Sequence, residues 1–108
     1  MSYQEDFILR LARRMGEVLA RAIGLAKKAD YEESHQVLEQ GVGAELGMPF
    51  AMLLRLDATS AARLLGKDKA ALFAEALRTR ALLFKLAGRD VEGAASEAHA
   101  DAVAQAAS

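Results

Sequence analysis

Apolar positions recur at three- and four-residue steps along almost the whole chain, the spacing of amphipathic helices rather than of strands. Over about 4–28, Phe7, Ile8, Leu11, Met15, Val18, Leu19, Ala22, Ile23, Leu25 and Ala26 form one broad apolar arc, wide enough to meet two neighbouring helices. Asp30 stands where it can cap a second helix that runs to about residue 45. Gly41, Gly43 and Gly47 loosen the end of that helix, and Pro49 fits the first turn of a short third one over 49–56, where a missing N–H costs nothing. Asp57, Thr59 and Ser60 offer capping oxygens to a short fourth helix, which Gly66 closes in left-handed geometry. The pattern then predicts a fifth helix over 67–87, apolar on more than one face through Leu72, Phe73, Ala76, Leu77, Ala81, Leu83, Phe84 and Leu86, and therefore the central helix of the core. Gly88 stops it and Asp90 caps a sixth. That last helix is Ala-rich, with Val91 and Val103 its only larger aliphatic residues, and its final turns are expected to fray.

Composition narrows the fold class. Ala and Leu dominate the 53% of hydrophobic residues, while the β-branched and aromatic residues that suit pleated sheets are scarce. The expected fold is all-α, five or six helices in antiparallel hairpins, and 108 residues make a single domain over 1–108. Fourteen basic against fifteen acidic side chains give a net charge of -1, which offers no general attraction to nucleic acid or anionic lipid. The absence of cysteine excludes disulfides, thiolate metal sites and cysteine nucleophiles. The opening 1–6 is polar and acidic, unlike a secretory leader, and no apolar run reaches the roughly 18 residues a membrane span needs. A cytoplasmic protein without a membrane span is the expectation.

Two stretches share a repeat-like pattern. Val18, Ala22 and Leu25 precede Ala29, Asp30, Tyr31, Glu32 and Glu33, and Leu77, Ala81 and Phe84 precede Gly88, Arg89 and Asp90. In each, a small residue in mid-helix admits a partner helix closely and the residues a turn away fill the groove. This spacing resembles the tetratricopeptide repeat (TPR): Ala22 falls at its small position, Tyr31, Glu32 and Glu33 at its turn into the second helix, and Leu38 at a later apolar position. The second unit keeps the turn glycine, Gly88, but Asp90, Val91, Glu92 and Gly93 depart from the tyrosine-led pattern. Together with Glu5, Asp6, Phe7, Ile8, Leu9 and Arg10, the chain looks like an uncharacterised family of short bacterial TPR-like proteins. The resemblance implies helical hairpins and a partner-binding scaffold, and it brings no assigned activity and no defined site residues.

The chemistry-bearing motifs are few. The run from Ser60 to Gly66, followed by Ala71, Leu72 and Phe73, resembles a helix-turn-helix, which makes a small DNA-binding regulator the alternative reading. The face that would read bases, however, offers Ala70, Ala71, Ala74 and Glu75, and Lys67 replaces the usual apolar residue after the glycine. Glu32 and His35 have the spacing of a di-metal carboxylate motif, in one copy only, and Glu97 and His99 point to different faces of a helix. Ser34 beside His35 faces away from it, and no nucleophile elbow or phosphate-cradling loop is present. No catalytic set, cofactor site or metal site is expected.

Two features point to a protein partner. Arg10, Arg14, Arg21 and Lys28 project from nearly one side of the first helix and either meet an acidic segment or form a solvated face in which Glu17 pairs locally. Arg80 sits among apolar neighbours between Leu77 and Phe84, where it either snorkels to solvent or lines a groove for a carboxylate such as a peptide C-terminus. Two repeat units also leave apolar faces to cover, so a homodimer is expected alongside a protein partner.

Overall fold

The computed structural model describes residues 3–108; Met1 and Ser2, the first of the polar opening, lie outside the described residues. Those described form six helices and no strand: α1 (Tyr3–Lys27), α2 (Tyr31–Leu46), α3 (Phe50–Arg55), α4 (Ala58–Leu65), α5 (Lys67–Leu86) and α6 (Asp90–Ala107). The chain is all-α, as its Ala- and Leu-rich apolar positions imply.

α1 buries Leu11, Met15, Leu19, Ala22 and Ala26, a single face at four- and three-residue steps. Glu5 and Asp6 in its first turn and Lys27 in its last complement the helix dipole. Three residues turn the chain into α2, and another three, 87–89, turn α5 into α6. The two turns share one hydrogen-bond pattern. Ala29 N–H donates to Ala26 O and Asp30 N–H to Leu25 O, and fifty-nine residues on Gly88 N–H donates to Lys85 O and Arg89 N–H to Phe84 O. Ala29 and Gly88 both take positive φ, 66° and 76°. The repeat seen in the sequence is thus a repeat of turn geometry.

Three local expectations are corrected. Asp30 occupies the cap position of α2, but its side chain makes no capping bond; its backbone carbonyl accepts from Ser34 N–H instead. Gly41 and Gly43 do not loosen the helix end. They lie inside α2 where neighbours press against it: a Cβ at Gly41 would meet a Val18 methyl at 2.5 Å, and one at Gly43 would meet Met48 O at 2.9 Å. Gly47 alone ends α2, at φ 80° and ψ 19°. Gly66 has positive φ but an extended ψ of 164°, a region essentially confined to glycine rather than the left-handed helical one, and it both ends α4 and precedes α5. Asp57 caps α4 as expected, accepting from Ser60 N–H at 2.7 Å and Ser60 Oγ–H at 3.1 Å, and these bonds hold its carboxyl below the usual range.

The hairpins α1/α2 and α5/α6 lie side by side, with α5 packed against α1, α2, α4 and α6, which makes it the central helix. One contiguous core takes Leu11 and Met15 from α1, Leu38 and Val42 from α2, Phe50 and Leu53 from α3, Ala61 from α4, Phe73 and Leu77 from α5, and Ala100 and Val103 from α6. α6 stays helical to Ala107, which itself packs on this core.

Candidate functional site

The basic stripe of α1 is not four free cations on one helix. Arg10, Arg14 and Arg21 are exposed on α1, but Lys28 lies beyond its end, in the turn. Arg14 is engaged across the hairpin with Glu45 of α2, its Nε 2.8 Å from one carboxylate oxygen and 3.2 Å from the other, rather than with Glu17. Arg80 is placed differently. It projects from α5 into a cleft of about 780 Å³ between α2 and α5.

The cleft follows from helix periodicity. α2 turns Ser34, Leu38 and Val42 into the core, so its adjoining face presents Glu32, His35, Gln36, Glu39 and Gln40 as one wall. Arg80 and Phe84, one turn apart on α5, form the other wall, and Ala87 and Arg89 of the α5/α6 turn continue it. Tyr31 Oη–H donates to Leu86 O at 3.3 Å and ties the walls together at that end.

Phe84 organises the floor. Its ring is almost fully buried, with the His35 ring 4.6 Å away and tilted by 41°. The guanidinium of Arg80 lies 4.8 Å from its centroid and that of Arg89 lies 5.1 Å away, so two cations share one aromatic ring. Arg89 is ion-paired with Glu92, one turn along α6. Arg80 belongs to no ion pair among the described residues, and its Nε is buried without a hydrogen-bond partner. Burial lowers the Arg80 pKa, Glu39 across the cleft opposes that, and Arg89 adds to it; an arginine so placed still carries its charge. Burial, then Arg80 and Arg89, push the His35 imidazole below its ordinary value near 6.5, which favours the neutral ring at pH 7.

Other sequence-marked residues do not converge here. Glu32 and His35 do share the cleft face, yet among the described residues no group of three or more His, Asp or Glu gathers as a metal site. His99 is half-buried at the other end of α5, its ring edge-on to Phe73 at 6.1 Å. Ser34 is fully buried with its hydroxyl unpartnered, and so forms no pair with His35. Around Gly66, Ala70 and Ala74 are in the core while Ala71 and Glu75 form the exposed ridge of α5, leaving no base-reading donor on that ridge at these positions.

Arg80 is the one cleft residue that sequence reasoning picked for a partner. The α2 wall was missed, although Glu32, His35, Gln36, Glu39 and Gln40 follow the three- and four-residue steps of one polar face. Compared with protein-family models, with curated proteins and with solved structures, the chain matches none. No helix among the described residues is long and apolar enough to cross a membrane.

Proposed function

We propose that the chain is a non-enzymatic protein-interaction module of TPR-like build, with the α2/α5 cleft as its partner-binding surface. The observation that carries this reading is Arg80, a half-buried cation held over Phe84 with no counter-charge bound to it. A protein does not gain stability from such a group, since burying an unpaired charge costs free energy that a partner's anion offsets. The neighbours fit a polar ligand rather than a reaction: the glutamines and glutamates of α2 supply amide and carboxylate oxygens, and the His35 ring packs at a tilt against Phe84. The TPR-like part rests on the matching turns of the two hairpins and on α5 contacting both helices of the first hairpin.

Self-association belongs to the same proposal and uses a different face. Ala12, Gly16, Ala20 and Gly24 recur every four residues on α1, and nothing lies within 4 Å of the positions a Cβ would take at Gly16 and Gly24. A second copy packed there makes a homodimer, read as a doubled mass by light scattering and abolished by Gly16→Glu.

A photo-crosslinking residue introduced at Gln36, inside the cleft, tests the reading against the same residue at Arg13 on α1. The expected result is one discrete cross-linked polypeptide from position 36, lost when Arg80→Ala is added. Equal capture at both positions, or capture indifferent to Arg80, contradicts it.

A further inference from the structure

We infer that His35 is a proton-operated latch on the cleft: neutral, its ring covers Phe84; protonated, it swings out to Glu32 and Glu39 of its own helix and uncovers the aromatic floor. This rests on the cleft being the partner-binding surface, and it specifies the proton as the signal that opens its floor.

Three groups meet at one ring. The His35 imidazole lies 4.6 Å from the Phe84 centroid, the Arg80 guanidinium 4.8 Å and the Arg89 guanidinium 5.1 Å. Each guanidinium therefore stands within about 10 Å of the imidazole, roughly one Debye length in 0.1 M salt, and screening is weaker still in a half-buried site. Both arginines keep their charge across the range in which histidine titrates. A neutral His35 completes the packing over Phe84, which is only 7% exposed. A charged His35 is a third cation at a ring that two arginines already share.

The charged groups around His35 divide by element. Arg80 from α5 and Arg89 from the α5/α6 turn oppose the imidazolium, as does burial. Glu92 of α6 is ion-paired with Arg89. Glu32 and Glu39, three residues before and four after on α2, line the same cleft and favour the charged ring once it points along α2 instead of at α5. Tyr31, one turn before, is engaged with Leu86 O. Ser34, Leu38 and Val42 anchor α2 in the core, so the ring leaves by side-chain rotation while the helix stays in place. Because its surroundings disfavour the charged form, the ring takes up its proton only below the ordinary 6.5. Phe84 is covered at pH 7 and uncovered as pH falls under that value.

The test is NMR on the full isotope-labelled chain, without any partner, between about pH 8 and pH 5, the span of a histidine titration. The expected result is cross-relaxation between the His35 and Phe84 ring protons at the upper pH that disappears at the lower one. The loss follows the His35 ring shifts, with a midpoint below 6.5, while the amides of α1 stay in place. Arg89→Gln made together with Glu92→Gln removes one cation without freeing its acid. This pair raises the His35 midpoint and leaves that of His99 unmoved, since Arg80, and not Arg89, bears on His99. In His35→Gln the Phe84 signals no longer follow pH. Contact kept by the protonated ring, a midpoint at or above 6.5, Phe84 signals that titrate alike in His35→Gln, or loss of the whole folded spectrum on acidification overturns the inference. Contact kept alongside Arg80-dependent capture at Gln36 defeats the latch alone. The expected titration alongside equal capture at Gln36 and Arg13 defeats the interaction surface and leaves the latch standing.

Discussion

The two hairpins begin alike and diverge after their turns. In α1/α2 the second helix packs with large apolar residues, Leu38, Val42 and Leu46; in α5/α6 it packs with Gly93, Ser96, Ala100 and Val103. Small side chains let α6 lie close on α5: a Cβ at Gly93 would meet Lys85 Cγ at 2.9 Å, and Ser96 Oγ–H donates to Leu77 O at 2.7 Å. Lys85 with Glu97 and Arg78 with Asp101 add two exposed ion pairs across that seam, which solvent largely screens. The seam between α2 and α5 is filled differently, with a deep apolar contact below and the polar cleft above. The difference teaches that the second hairpin is closed by its own backbone approach, whereas the face of α2 beside α5 is left wide enough to admit a ligand.

The largest expected effect breaks the shared core. Leu77→Ala removes a fully buried side chain of α5 and should destabilise the fold by about 2 to 5 kcal/mol in urea unfolding. A smaller effect sharpens the distinction between pressed and open glycines. Gly43→Ala drives a methyl against backbone and should cost about 1 to 3 kcal/mol, whereas Gly16→Ala, open within its own protomer, should stabilise the monomer, at concentrations below dimerisation, by about 0.5 to 1 kcal/mol. Smaller again is the contrast between the turns. Ala29 pays for its positive φ where Gly88 does not, so Ala29→Gly should raise stability by about 0.5 to 1 kcal/mol and Gly88→Ala should lower it by about 1 kcal/mol. Opposite signs in the melting temperatures check the equivalence of the two turns.

The weakest effect is on pH dependence. Burial, reinforced by Arg80, lowers the pKa of both His35 and His99 from an ordinary 6.5, so the folded state binds protons less readily than the unfolded chain. Stability should therefore fall as pH drops below about 6.5, levelling once it is under the depressed folded values. His35→Gln should flatten part of the difference between urea midpoints at pH 7 and pH 5. Asp57 acts in a lower window: its depressed pKa contributes stability that is lost as pH falls below 3.8.

The helix order was legible because periodicity is a local property: the predicted 67–87 and 49–56 correspond to Lys67–Leu86 and Phe50–Arg55. The role of Gly41 and Gly43 was not, because a glycine pressed by Val18 or by the backbone at Met48 looks in sequence like a glycine that weakens a helix. Arg80 stood out as a charge in an apolar arc. Its cleft did not, since which face of α2 meets α5 depends on tertiary packing, and nothing local links His35 to Phe84 across nearly fifty residues. The pairing within the basic stripe was illegible for the same reason. Helical spacing places Arg14 beside Glu17, but packing of α2 brings Glu45 to it instead.

The central claim is that partners enter between α2 and α5. Its most direct test is mapping of backbone and side-chain NMR shifts when the polypeptide captured at Gln36 is added to the isotope-labelled chain. The account predicts shifts concentrated at His35, Gln36, Gln40, Arg80 and Arg89. Shifts at Arg10, Arg13 and Arg21 on α1, with the cleft residues unmoved, would contradict it.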